Sequence, residues 1–310
     1  YPVKFARSHT ATPNREKLQV AGRRHGWWLL SPGLPALLLV LVTFVVPIGW
    51  LFGLSLFDAN GHWTTENYSR LLQPIYTLAF SQTFSVSFMV TAICIVIGYP
   101  YAYCMVHGPR VLANVAMALL LVSLWTSLLV RTYAWLVILQ RRGLVNEMLM
   151  SLGLTDTPLP LVHNLTGTVI GMTHIMLPYM ILPLYANLVK HNQSLLEAAA
   201  DRGSSTFNSF WKITVPLSKN GIIAGCMLVF IPVVGEFVIP DLLGGPETLM
   251  IGKVLWQEFF NNRDWPVASA LAVVMLAILI VPIILFNRSQ ATEMEGKRCS
   301  ASVSLASCGW

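Results

Sequence analysis

Six apolar stretches, each about the length that crosses a bilayer as a helix, constrain this chain more than any other feature: residues 34–57, 84–106, 113–139, 165–189, 221–240 and 267–286. A hydrocarbon core about 30 Å thick needs roughly 20 helical residues to span it. Inside that core every backbone N–H and C=O must find its partner within the protein, so only helices or a closed barrel can cross. Runs of this length specify an all-α, polytopic membrane protein of about six transmembrane helices. Of the 310 residues, 55% are hydrophobic and only 11% charged, against roughly a quarter charged in a soluble domain. The membrane domain is expected over residues 34–286. Residues 1–33 form a basic tail before it, 287–310 a tail after it, and 190–220 a polar loop between the fourth and fifth spans.

Prolines interrupt the runs at Pro47, Pro100, Pro178, Pro183, Pro232 and Pro282. Such breaks are tolerated where neighbouring helices or water satisfy the freed carbonyls. Taken singly, each is explained by ordinary helix packing; together they suit a bundle that encloses a path and changes shape. The first run exceeds the 7–15 residues of a cleavable signal and reads as an anchor. Trp27 and Trp28 ahead of it fit an interfacial belt.

Basic residues orient the bundle. With the N-terminus in the cytosol, Arg70, Arg141, Arg142, Lys253 and Arg263 fall outside and Arg131 lies within a span. The remaining fourteen of the 20 lysines and arginines fall inside. The bias places both termini and the 190–220 loop in the cytosol. The net charge of +6 follows from that bias, and no basic patch interleaved with aromatics suggests a nucleic-acid partner.

Catalytic and metal chemistry find no residues here. The histidines lack any ligand spacing, no CxxC occurs, and His174, alone in a span, reads as a packed histidine. The glycine-rich stretch from Gly245 to Lys253 has the wrong spacing for a phosphate loop, with Val254 in place of the required Ser or Thr. No catalytic residue, cofactor or metal is expected, and ATP would have to be hydrolysed on another subunit.

The polar loop carries the chemistry instead. Ser194 and Glu197 have capping-box spacing, Ala198, Ala199 and Ala200 are strong helix formers, and Gly203 suits a left-handed helix end. The product is a helix of about two turns over 195–202, roughly 12 Å long. Phe207, Phe210, Trp211 and Thr214 follow at helical spacing, and Pro216 breaks the chain before the next span. A plain linker needs no capped helix with an aromatic stripe beside it. A short helix shown on one face of a membrane is a handle for a soluble partner.

The pattern Glu197-Ala198-Ala199, three residues, Gly203, nine residues, Ile213-Thr214-Val215-Pro216 resembles the EAA loop of ATP-binding-cassette importer permeases, with Val215 where leucine is usual. The resemblance implies that Glu197, Ala198, Ala199, Gly203, Ile213 and Pro216 couple the bundle to an ATPase subunit dimer. It further implies a second, homologous permease completing the pore in the bacterial inner membrane, and a periplasmic binding protein delivering substrate. Residues 34–286 are also similar to the polyamine permeases of that family, the putrescine importer's permease in particular. The runs Gly235–Gly245 and Val254–Pro266, and Thr65-Glu66-Asn67-Tyr68 in the first outer loop, carry this likeness. It implies putrescine, or a related polyamine, as substrate. Another small cationic or amino-acid-like solute is the alternative, and an ion-coupled secondary transporter a further one, although no internal repeat supports it.

A diamine dication needs carboxylates and aromatic faces along its path. Glu236 is the acid inside the fifth span, Phe237 adjoins it, and Asp241 lies at that span's outer end. Two readings of Glu236 stand: it lines the substrate path, or it pairs with Arg131 inside the membrane and is structural.

Overall fold

A computed structural model of the chain describes residues 33–58, 61–191 and 194–284. Apart from Gly33, the two expected tails lie outside the described residues. Residues up to Leu54 form one compact unit and those from Ser55 a second. Helix α1, Gly33–Ser55, accounts for the described part of the first. The second contains α2 (Glu66–Arg70), α3 (Pro74–His107), α4 (Arg110–Trp125), α5 (Leu128–Ile138), α6 (Leu144–Ser151), α7 (Leu165–Leu188) and α8 (Ser194–Asp201). It continues through α9 (Phe207–Leu217), α10 (Lys219–Gly235), α11 (Val238–Leu243), α12 (Ile251–Trp256) and α13 (Trp265–Ile284). No strand occurs among the described residues, only an isolated bridge between Phe57 and Trp63.

Four helices, α1, α3, α7 and α13, are long and apolar enough to cross a membrane singly, and the number is six if each of two bent pairs is one span. The all-α, polytopic reading therefore holds with four to six spans, and two of the expected runs are not single rods. The run at 113–139 is two helices, α4 and α5, meeting at 103°. Thr126 and Ser127 between them are extended, with ψ 136° and 141°. The Thr126 hydroxyl donates to the Val122 carbonyl at 2.8 Å, a local bond of the kind that lets Ser and Thr compete with helix geometry. The run at 221–240 breaks as well: α10 ends at Gly235, Glu236 is extended with ψ 133°, and α11 starts at Val238. At its other end α10 meets α9 at 64°.

The main core lies where α3, α7 and α10 cross. Cys94, Met172, Met180, Leu184, Val229 and Val233 are wholly buried there. Close approach of α10 to α7 depends on the small residues Gly221 and Gly225. A Cβ on Gly221 would stand 2.7 Å from Asn187 Cβ, and one on Gly225 2.6 Å from Met180 Sδ. In lipid, where apolar burial gives little drive, such close backbone packing is what holds helices together. A smaller core joins the start of α3 to α12 and α13 through Tyr76, Ala79, Ile251, Val254, Val267 and Leu271. There the Thr83 hydroxyl donates to the Ala79 carbonyl and accepts from the Ile251 N–H at 2.8 Å, satisfying a donor at the start of α12.

Candidate functional site

The loop at 190–220 folds into α8, a turn, and α9. Helix α8 runs Ser194–Asp201, one residue earlier than the spacing predicts. Gly203 ends it at φ +79°. The Gly203 N–H donates to the Ala200 carbonyl at 2.8 Å and the Ser204 N–H to the Ala199 carbonyl at 3.0 Å. This pair of bonds is a Schellman closure, which satisfies carbonyls the helix end would leave open. Glu197, Ala198 and Ala200 are exposed and Ala199 half-buried. On the other side of α8, Leu195 and Leu196 line a cleft with Ile213 against Val106 of α3 and Leu188 of α7. Pro216 is exposed one residue before α9 ends. The six residues of the pattern thus share one surface segment, bare on its outer side and facing the ends of two long helices across a cleft.

The aromatic stripe divides. A five-residue π-turn, Phe210–Thr214, widens the middle of α9 and shifts the helical phase. Phe207 and Trp211 share the outer face at i, i+4 spacing, 72% and 55% exposed. Phe210 turns inward, edge-on to both Tyr99 and Tyr103 of α3.

The second candidate region is the break after α10. Glu236 lies in this break, not within a continuous helix. Its Oε1 accepts from the Val238 and Ile239 N–H groups at 3.0 and 3.3 Å, capping the start of α11. It does not pair with Arg131, whose Nε and Nη1 are buried without a hydrogen-bond partner among the described residues. Asp241 is exposed and forms an ion pair with Lys253 at 3.0 Å. Phe237 stacks on Trp256 with ring centroids 4.8 Å apart and planes 12° from parallel. Gly252 of α12 sits against the break, where a Cβ would lie 2.9 Å from the Glu236 carbonyl oxygen and 3.0 Å from that of Gly235. The break thus brings together a carboxylate and an aromatic face, each of which favours a cation, while its two backbone carbonyls are covered by Gly252.

Two neighbours were not singled out from sequence. Trp256 extends the aromatic stack to Phe260 at 4.1 Å; the i, i+4 spacing of the two rings was the available signal. Glu258 accepts from the Tyr76 hydroxyl and from Asn262 Nδ2, each at 2.9 Å. Tyr76 is 182 residues away in the chain, so only the folded contact finds that pair. Close by, Arg70 and Asp264 form an ion pair at 2.8 Å. Partial burial opposes the arginine's charge, but the bond and charge of Asp264 outweigh it and hold Arg70 above its ordinary pKa. The Thr65–Tyr68 motif is structural: Asn67 Nδ2 donates to the Ser55 and Phe57 carbonyls at 3.0 Å.

The sequence model for the inner membrane component of binding-protein-dependent transport systems matches residues 34–291. The chain belongs to this family. The permease is 35% identical over 264 residues to the spermidine/putrescine transport system permease protein PotB of Escherichia coli K12, covering 85% of this chain and 94% of that protein. It is 34% identical over 275 residues to PotB of Salmonella typhimurium SL1344, covering 89% and 93%. The inner membrane ABC transporter permease protein YdcU of Escherichia coli K12 is 28% identical over 314 residues, covering 91% and 97%. Among solved structures, the permease matches a chain of a bacterial ABC transporter that imports the acidic polysaccharide alginate, with TM-score 0.67 at 17% identity, covering 87% of this chain and 98% of that one. A chain of the MetNI methionine ABC transporter matches with TM-score 0.54 at 14% identity, covering 71% and 95%. At such identities the structures share the fold alone with this permease.

Proposed function

We propose that the permease forms half of the pore of an ATP-driven polyamine importer, with putrescine as cargo. A second, homologous permease completes the pore, a periplasmic binding protein delivers the polyamine, and two copies of a separate ATPase dock from the cytosol. The observation that carries this reading is α8: a short, closed helix, bare on its outer side and facing the ends of the long helices across a cleft. Glu197, Ala198, Ala199 and Gly203 present it, while Ile213 and Pro216 set the segment that joins it to α10. Closure of the ATPase moves α8, and the bundle exchanges outward-facing for inward-facing forms.

The polyamine assignment is supported by the PotB relatives, whose names carry both spermidine and putrescine, and by the chemistry of the break. Glu236, Phe237 and Asp241 line the path in this proposal, Glu236 stabilising a passing ammonium while Phe237 and Trp256 offer it a ring face. The test is reconstitution of the four components in proteoliposomes with labelled putrescine. ATP-dependent uptake that requires the binding protein, and that excess spermidine competes with more weakly than excess putrescine, is the expected result. Uptake by this chain without the ATPase, collapsing with a proton gradient, would overturn the proposal.

A further inference from the structure

The proposed docking of α8 explains where force enters; α9 shows how it reaches the spans. Phe210 sits between Tyr99 and Tyr103, one helical turn apart on α3, at centroid distances of 5.5 and 5.4 Å with both interplanar angles 89°. Tyr99 is buried, and its hydroxyl bonds to Ser218 Oγ at 2.8 Å. Ser218 is itself wholly buried, at the 64° bend between α9 and α10, and its hydroxyl donates to the Val215 carbonyl at 3.0 Å. With the serine proton committed to Val215, the tyrosine proton bridges to the serine oxygen. One tyrosine of α3 therefore holds both the middle of α9, through its ring, and the far end of α9, through its hydroxyl.

We propose that Tyr99, Tyr103, Phe210 and Ser218 form a latch that converts movement of α8 into movement of α3 and α10, so that these four are positioning residues of the transport cycle. The placement favours this role over simple packing in two ways. The π-turn that begins at Phe210 is a distortion of α9, of a kind enriched at functional sites. The Tyr99–Ser218 bond is a polar tie at a bend, where an apolar contact would fill the space without fixing an angle.

The inference rests on docking of the ATPase at α8, and its test separates the two. The complete transporter carrying Phe210→Ala, Tyr99→Phe or Ser218→Ala is reconstituted, with three readouts: ATPase retained on purification, ATP hydrolysed, and putrescine imported per ATP. Each edge-to-face ring pair shifts an equilibrium by about two- to tenfold. Phe210→Ala, losing two such pairs, should retain the ATPase and its hydrolysis yet import roughly tenfold less putrescine per ATP. Tyr99→Phe keeps the ring and loses only the hydroxyl tie, and should lower the ratio by about threefold, as for one ordinary hydrogen bond. Adding Ser218→Ala to Tyr99→Phe should lower it by less than Ser218→Ala does alone, because both remove the Tyr99–Ser218 bond and only the Ser218–Val215 bond is left to lose. An unchanged ratio in assembled Phe210→Ala transporter overturns the latch. Should that variant not assemble, an unchanged ratio in Tyr99→Phe overturns it equally. If the unaltered chain does not retain the ATPase, the docking proposal fails, and the latch with it.

Discussion

Among single residues, Glu236 shows most sharply what the chain states and what it conceals. Its charge inside an apolar run was legible, since ionised groups in a membrane are costly and functional. Its position in a break was not, because nothing in the period of the run separates Gly235 from its neighbours. Its use as a cap for α11 depends on the fold, and this sorts the two substitutions that test it. A glutamine at 236 keeps an oxygen able to accept from the Val238 and Ile239 N–H groups, so Glu236→Gln removes charge and leaves the cap. A hydrogen bond to a charged group is worth about 1.5–3 kcal/mol, so putrescine uptake should fall roughly ten- to a hundredfold. Assembly and ATP hydrolysis should hold. Glu236→Ala should in addition lose about 1 kcal/mol of local stability with the cap, seen as a lower melting temperature in detergent. Wild-type uptake by Glu236→Gln would remove the residue from the path. Gly203 is the contrasting case, a position whose φ of +79° follows from the residue type at the end of a helical pattern.

At the scale of elements, the spans were legible and their bends were not. Length and apolarity fix that a segment such as 165–188 crosses the membrane, and the structure forms α7 there. The 103° turn between α4 and α5 falls at Thr126–Ser127 with no proline or glycine to mark it, and the i−4 bond of Thr126 is no signal of it, since Thr83, Ser87 and Thr91 make the same bond inside the unbroken α3. The α7–α10 contact lies between these extremes. Gly221 and Gly225 form a small-xxx-small pair, a weak signal because such pairs are common in apolar runs. The structure supplies what the pattern lacks, an opposing backbone close enough to exclude a side chain. The Asn187 Cβ that would meet a Cβ at position 221 belongs to no flexible chain end. Gly221→Val should therefore force the helices apart and cost about 1–3 kcal/mol, the usual penalty for overpacking. The measurement is thermal unfolding of purified permease in detergent, and an unchanged midpoint would show that α7 and α10 are less tightly joined than this contact requires.

For the whole molecule, the decisive quantity is which face of the membrane each end of the bundle meets. Lys190, Arg202, Lys212 and Lys219 cluster around α8 and α9, whereas Arg70 and Lys253 are engaged by Asp264 and Asp241 near the break. The positive-inside rule sets orientation by counts of Lys and Arg in short loops, and on that ground we propose that the α8 end faces the cytosol and the loop from Gly244 to Asp264 the periplasm. Two exposed positions report on this directly. In a chain whose own cysteines are replaced by alanine, Ala198→Cys sits on the bare side of α8 and Glu247→Cys on the opposite loop. A membrane-impermeant maleimide should label Glu247→Cys, and not Ala198→Cys, in right-side-out vesicles, and the reverse in inside-out vesicles. Labelling of both from one side would deny that α8 and the break face opposite compartments. It would also remove the route by which a cytosolic ATPase could drive a path entered from the periplasm.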